Sequence, residues 1–145
     1  MGIRQIIMLN NYGIAYWAGN YVCPTGNNCD VFSKDKVALR QDPTLFAGFF
    51  TAIEAMAEES GGEIQSIEFE KFKFLAMKAK NVVCIFDVDV ADDTKEYKNR
   101  MRLALDKFEQ LYGDYIKNWY GNNMLFDSFQ IVLEKTQIFD KEPRF

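Results

Sequence analysis

The chain opens with two apolar blocks separated by a polar break. Ile3–Leu9 and Ile14–Ala18 are rich in β-forming residues, and Asn10-Asn11-Tyr12-Gly13 between them accepts the positive φ angles of a tight turn. This pattern predicts a hairpin. From Asn20 to Gln41 no period is sustained, and Pro24, Gly26, Asn27, Asn28 and Asp30 predict a surface loop with a short turn near Lys34–Leu39. Its length is unusual enough to suggest a role.

Asp42-Pro43 supplies an N-cap oxygen followed by proline at the first helical position, and Gly61-Gly62 supplies a C-terminal stop. A helix over about Pro43–Ser60 follows. Its apolar positions form two neighbouring rows, Phe46, Phe50, Ile53 and Ala57 in one and Leu45, Phe49, Ala52 and Met56 in the other. One row is enough to seat a helix on a sheet. Either a broad stripe fills a broad core, or the second row stays exposed as a partner surface.

Three strands are expected next. Ile64–Phe69 alternates loosely, Phe72–Met77 sets Lys71 and Lys73 against Phe72, Phe74 and Ala76, and Val82–Val88 is almost continuously apolar, as in a strand covered on both faces. The short links Glu70-Lys71 and Lys78–Asn81 predict an antiparallel meander. Asp93 and Glu96, in capping-box spacing, open a helix on which Tyr97, Met101, Ala104, Leu105, Phe108 and Tyr112 recur at helical period, with a stop near Gly113. Asp114–Tyr120 adds a turn or two. A last helix sets Leu125, Phe126, Phe129, Val132 and Leu133 on one face, and Asp140–Phe145 is a loose tail.

Composition narrows the function classes. With 145 residues, 48% hydrophobic and 15% aromatic, the chain suits one compact domain. A net charge of −4 gives no footprint for nucleic acid or anionic lipid. The N-terminal apolar stretch is too short for a signal peptide, no segment reaches the length of a membrane span, and Ile6 stands where the myristoylation pattern after Gly2 needs Ser or Thr. A soluble, intracellular protein is expected.

The absence of histidine removes Ser-His-Asp, Cys-His and His-zinc chemistry. Neither a GxxxxGK[ST] loop nor a GxGxxG turn is present. Cys84 lies in an apolar run and reads as core, whereas Cys23 and Cys29 flank a turn-rich loop, where a reducing compartment fits an odd cysteine count better than a disulfide does. No cofactor and no metal are expected. The acidic group Asp87, Asp89, Asp92 and Asp93 lacks the glycine and terminal glutamate of an EF-hand loop, and acidic residues ahead of a helix suit its dipole.

The succession ββαβββαα, with the opening IIMLNNYGIAYW, the stretch LFAGFFTAIEAMAEESGGEIQSIEFEKFKFLAMK and the strand VVCIFDV, resembles a longin-like domain of the longin/roadblock superfamily, in an archaeal or early-eukaryotic style. The resemblance covers Ile3 to about Phe139, so residues 1–139 are expected to form one domain. Roadblock domains proper place a helix before the first strand, and strand signals here begin at Ile3, which favours the longin type. The resemblance implies an α+β fold: a five-stranded antiparallel sheet with the first helix on one face and the C-terminal helices on the other.

It also implies a non-catalytic protein-interaction module, cytoplasmic and reaching membranes only through a partner. Longin-like domains act in membrane traffic and GTPase control and pair through the first helix and the adjoining edge strand. Carried onto this chain, that surface is Leu45, Phe49, Ala52 and Met56 with Ile64 and Ile67. The implied partners are a second copy or another longin/roadblock-like chain, and a small Ras-like GTPase. Two rivals stay open: a ligand sensor with a pocket between the sheet and the Asn20–Gln41 loop, lined by Trp17, Tyr21 and Trp119, and an enzyme using Asp87 and Asp89, marked by raised pKa values in a cleft.

Overall fold

The computed structural model describes residues 3–22, 31–33, 43–119 and 123–135. Six strands, β1 (Gln5–Leu9), β2 (Ala15–Val22), β3 (Val31–Ser33), β4 (Ser66–Glu68), β5 (Phe72–Lys78) and β6 (Val83–Asp89), form one sheet in the order β3-β2-β1-β6-β5-β4. Every neighbouring pair is antiparallel. Helix α1 (Pro43–Glu59) lies in sequence between β3 and β4, and α2 (Thr94–Lys117), a 3-10 turn (Asn123–Phe126) and α3 (Phe129–Lys135) follow β6.

All five expected strands are present. The sixth, β3, pairs with the end of β2 at Asn20↔Ser33 and Val22↔Val31, within the stretch expected to be only loop. The turn expected near Lys34–Leu39, Cys23 and Cys29, and the tail Asp140–Phe145 lie outside the described residues.

Alternation along the central strands divides the core in two. Ile6, Met8, Cys84, Phe86 and Val88 face α2 and α3, while Ile7, Leu9, Val83 and Ile85 face α1 together with Phe50 and Phe74. β1 and β6 lie in the middle of the sheet with helices on both faces, which is why their sequences read as continuous apolar runs. One departure from alternation shapes the larger core. Opposite β1 the register passes from Met8↔Trp17 to Leu9↔Ala15, so Tyr16 is the extra residue of a bulge. Tyr16 and Trp17 therefore both join the cluster under α2, where Trp17 meets Phe129 edge-on at 5.2 Å and Tyr16 packs on Trp119 at 4.8 Å.

Local chemistry sets the ends of the elements. At the β1–β2 turn, Asn10 Oδ1 accepts the N–H groups of Tyr12 and Ile14, each at 2.9 Å, and Gly13 takes φ 83°. After α1, Gly61 adopts φ 86°, and the N–H groups of Gly62 and Gly61 return to the Ala57 and Glu58 carbonyls at 2.9 and 3.0 Å. This is the Schellman stop expected from Gly61-Gly62. Asp93 caps α2 by accepting the Lys95 N–H at 3.0 Å, but Glu96 does not close a capping box: its carboxylate takes Arg100 at 2.7 Å.

Two helix boundaries differ from those expected. α2 runs through Gly113 to Lys117, because a glycine inside a helix costs only about 1 kcal/mol and the packing of Tyr112 and Ile116 on the core continues past it. The last segment divides into the 3-10 turn and the short α3, both of which reach the core through Phe126, Phe129 and Leu133.

Candidate interaction surface

Adjacent helical residues point about 100° apart, and the two apolar rows of α1 meet different surroundings. Phe50 is 2% exposed and packs with Ile7, Leu9, Phe74, Val83 and Ile85, with Ile53 and Ala57 partly buried in the same row. The other row faces outward: Phe49 is 50% exposed, Met56 is 69% exposed and Ala52 is exposed between them. Leu45 belongs to α1, but its side chain lies outside the described residues. Lys78 of β5 ties down the C-terminal half of the helix by binding Glu54 and Glu58, each at 3.2 Å. Glu58 and Glu54 in turn hold the Lys78 ammonium above its usual pKa, against some desolvation.

β4 is an edge strand of the sheet. It is three residues long, shorter than the stretch from Ile64 to Phe69 suggests, because Ile64 lies ahead of it and Phe69 begins the turn into β5. Ile64 and Ile67 are half-buried against the α1-side core, so their side chains point beneath the helix and not outward with Phe49 and Met56. What β4 offers on its outer side is backbone. Beyond the turn, Phe69, Phe72 and Phe74 with Arg4 and Asp89 border an open cleft of about 710 Å³.

The acidic group at the end of β6 is dispersed. Asp92 accepts the Tyr97 hydroxyl at 2.9 Å, Asp93 caps α2, and Asp89 binds Arg4. Asp87 is 1% exposed on the α1 side of the sheet, directly opposite Gln5 of β1. Burial raises its carboxyl to about 7, the Arg4 charge opposes that shift and Asp89 adds to it. Gln5 is fully buried, and its side-chain nitrogen and oxygen have no hydrogen-bond partner among the described residues.

Sequence reasoning grouped Asp87 with the solvated carboxylates and missed Gln5. Strand parity was the available signal, since both residues share the inward face of Ile7 and Ile85. The raised pKa matches the sign set for a carboxylate enzyme, yet the group is sealed inside the sheet packing and does not border the cleft. The rings of the proposed ligand pocket are also committed elsewhere: Trp17 to Phe129, and Trp119 to Tyr16 and Phe126. The Tyr21 side chain lies outside the described residues. No described helix is long and apolar enough to cross a membrane.

No family model and no curated protein matches this chain. Among solved structures it is similar to a Roadblock/LC7 domain from Streptomyces avermitilis, at 8% identity over 76% of this chain and 85% of that one, with a TM-score of 0.54. It is also similar to Myxococcus xanthus MglB, at 17% identity over 77% of this chain and 85% of that one, with a TM-score of 0.50. At such identities the likeness bears on the path of the backbone alone. The chain has the fold of the roadblock/longin superfamily.

Proposed function

We propose that this chain is a non-catalytic interaction module that associates with a second copy, or with a chain of the same fold, through the outer row of α1 and the free edge of β4, and that the assembly binds a small Ras-like GTPase. The observation that carries the reading is the exposed row Phe49, Ala52 and Met56 on α1, in a fold whose sheet also ends, among the described residues, in the edge strand β4. Apolar side chains of this size remain in contact with water unless a partner covers them. A strand edge pairs most readily with another edge, and two identical surfaces meet about a two-fold axis. The GTPase part of the proposal rests on the longin resemblance of the sequence.

Phe49→Asp tests both parts. The position is half-exposed, so the variant is expected to keep its circular dichroism spectrum and cooperative unfolding while light scattering falls from twice the chain mass to the chain mass. Wild type immobilised with GDP or a non-hydrolysable GTP analogue should retain a small GTPase from source lysate in one nucleotide state, and the variant should retain less. A folded variant that remains dimeric removes the α1 surface from the proposal. An assembly that captures no GTPase in either state removes the partner.

A further inference from the structure

Hydrogen bonds at both ends of β4 fix which of its backbone groups face outward. The Gln65 carbonyl accepts the Ala76 N–H at 2.9 Å, and the Phe69 N–H donates to the Phe72 carbonyl at 2.8 Å. Between them Ile67 stands opposite Phe74 of β5. In an antiparallel strand the N–H and C=O of one residue point to the same side, and the side alternates from residue to residue. Gln65, Ile67 and Phe69 therefore turn to β5, while the N–H and C=O groups of Ser66 and Glu68 point out of the sheet, with no backbone partner among the described residues.

The side chains divide between the two faces. Ile67 is half-buried on the α1 side with Phe74, whereas Ser66 follows its partner Leu75 to the α2 side and Glu68 shares that side, both of them exposed. Among the described residues Glu68 makes no ion pair. A second copy can join this edge antiparallel about a two-fold axis only in registers that set outward-facing residues opposite one another, so the axis passes through Ser66, Ile67 or Glu68. An axis at Glu68 sets two like charges directly opposite, which destabilises. An axis at Ser66 sets Glu68 against Ile64, ahead of the strand, and pairs only Ser66 within β4. An axis at Ile67 matches every residue of the strand, with Ser66 of each copy facing Glu68 of the other.

We infer, resting on the self-association proposed above, that the partner is an identical copy of this chain, joined edge to edge through β4 with the two-fold axis at Ile67. Each Ser66–Glu68 pair exchanges both backbone bonds, and on the α2 side the Ser66 hydroxyl donates to the Glu68 carboxylate of the other copy. On the α1 side the two Ile67 side chains meet at the closer spacing of a pair that exchanges no backbone bonds, each covering the exposed part of the other. The axis stands normal to the sheet, so both α1 helices come to the same face of the joined sheet. Three residues make a short ladder, so β4 sets the register of an association whose apolar area comes from Phe49 and Met56. Such self-complementarity singles out a second copy, because both chains supply both members of the pair.

The test is mixed cross-linking of the full chain with Cys23 and Cys29 replaced by serine. Ser66→Cys and Glu68→Cys proteins are oxidised separately, and together after mixing under reducing conditions. Residues that exchange backbone bonds lie about 5.5 Å apart at Cα, within the span of a disulfide. The mixture should give severalfold more covalent dimer than either protein alone, with the mixed species identified by mass, and Ile67→Cys alone should cross-link to itself. More covalent dimer from one variant alone than from the mixture would move the axis to Ser66 or Glu68 and overturn the inference. No cross-link at any of the three positions, in protein that sediments as a dimer, would also overturn it while leaving association through α1 in place. A chain that sediments as a monomer throughout would remove the self-association itself, and this register with it.

Discussion

Phe108→Ala is expected to lower stability by about 4 kcal/mol, within the range for deleting a fully buried phenylalanine side chain. Phe108 is fully buried at the meeting point of α2, the bulged strand and the C-terminal elements. Its ring centre lies 5.7 Å from Tyr16, 5.1 Å from Tyr112, 5.4 Å from Phe126 and 5.0 Å from Phe129. Four rings from four segments cannot collapse into the space it leaves without moving strand, helix and turn together, so the cavity persists. Matched urea and thermal unfolding of wild type and variant measures the loss, with the midpoint expected to fall by roughly 10 °C for a chain of this size. A loss below about 1.5 kcal/mol would mean that the far-face core does not close around this ring.

The second large effect is a dependence on pH centred on Asp87. Its carboxyl is raised by burial from the ordinary 3.8 to about 7 in the folded chain, so between those values the folded state holds a proton that the unfolded state has released. The stability this group contributes is complete below pH ~4, declines as pH rises and is lost once pH passes ~7, a change on the order of 4 kcal/mol by the linkage relation. Asp87→Asn keeps the shape, removes the charge and offers an amide beside Gln5. The variant should match wild type near pH 4 and exceed it in stability at pH 8, which denaturant unfolding across that interval reads as two diverging curves. Parallel curves would place the carboxyl in a better-solvated setting than its burial indicates.

Much of this architecture is legible in the residues because local and long-range signals agree. Asn10 and Gly13 specify the first turn, Gly61-Gly62 specifies the end of α1, and the almost continuously apolar run Val82–Val88 marks a strand covered on both sides. Of the two arrangements the spacing of α1 allows, the fold takes the one that leaves the Phe49 row outward. The features that escaped the reading depend on register, which a single strand does not encode. Nothing in the sequence places the bulge at Tyr16, so strict alternation would send Tyr16 and Trp17 to opposite faces. β3 pairs with β2, and three residues carry too little pattern to show a strand. The resemblance places Ile64 and Ile67 in the partner surface through the edge strand; in the fold both side chains are half-buried against the α1-side core.

The most direct measurement is a cross-linking experiment on α1. Ala52 lies at the middle of the outer row, so in a two-fold pairing through that row it approaches its own copy. Ala52→Cys, with Cys23 and Cys29 replaced by serine, should yield a reducible covalent dimer on mild oxidation, whereas Leu111→Cys, an exposed position on the opposite layer, should yield little. Cross-linking at Leu111 with none at Ala52, in protein that is dimeric before oxidation, would contradict self-association through α1.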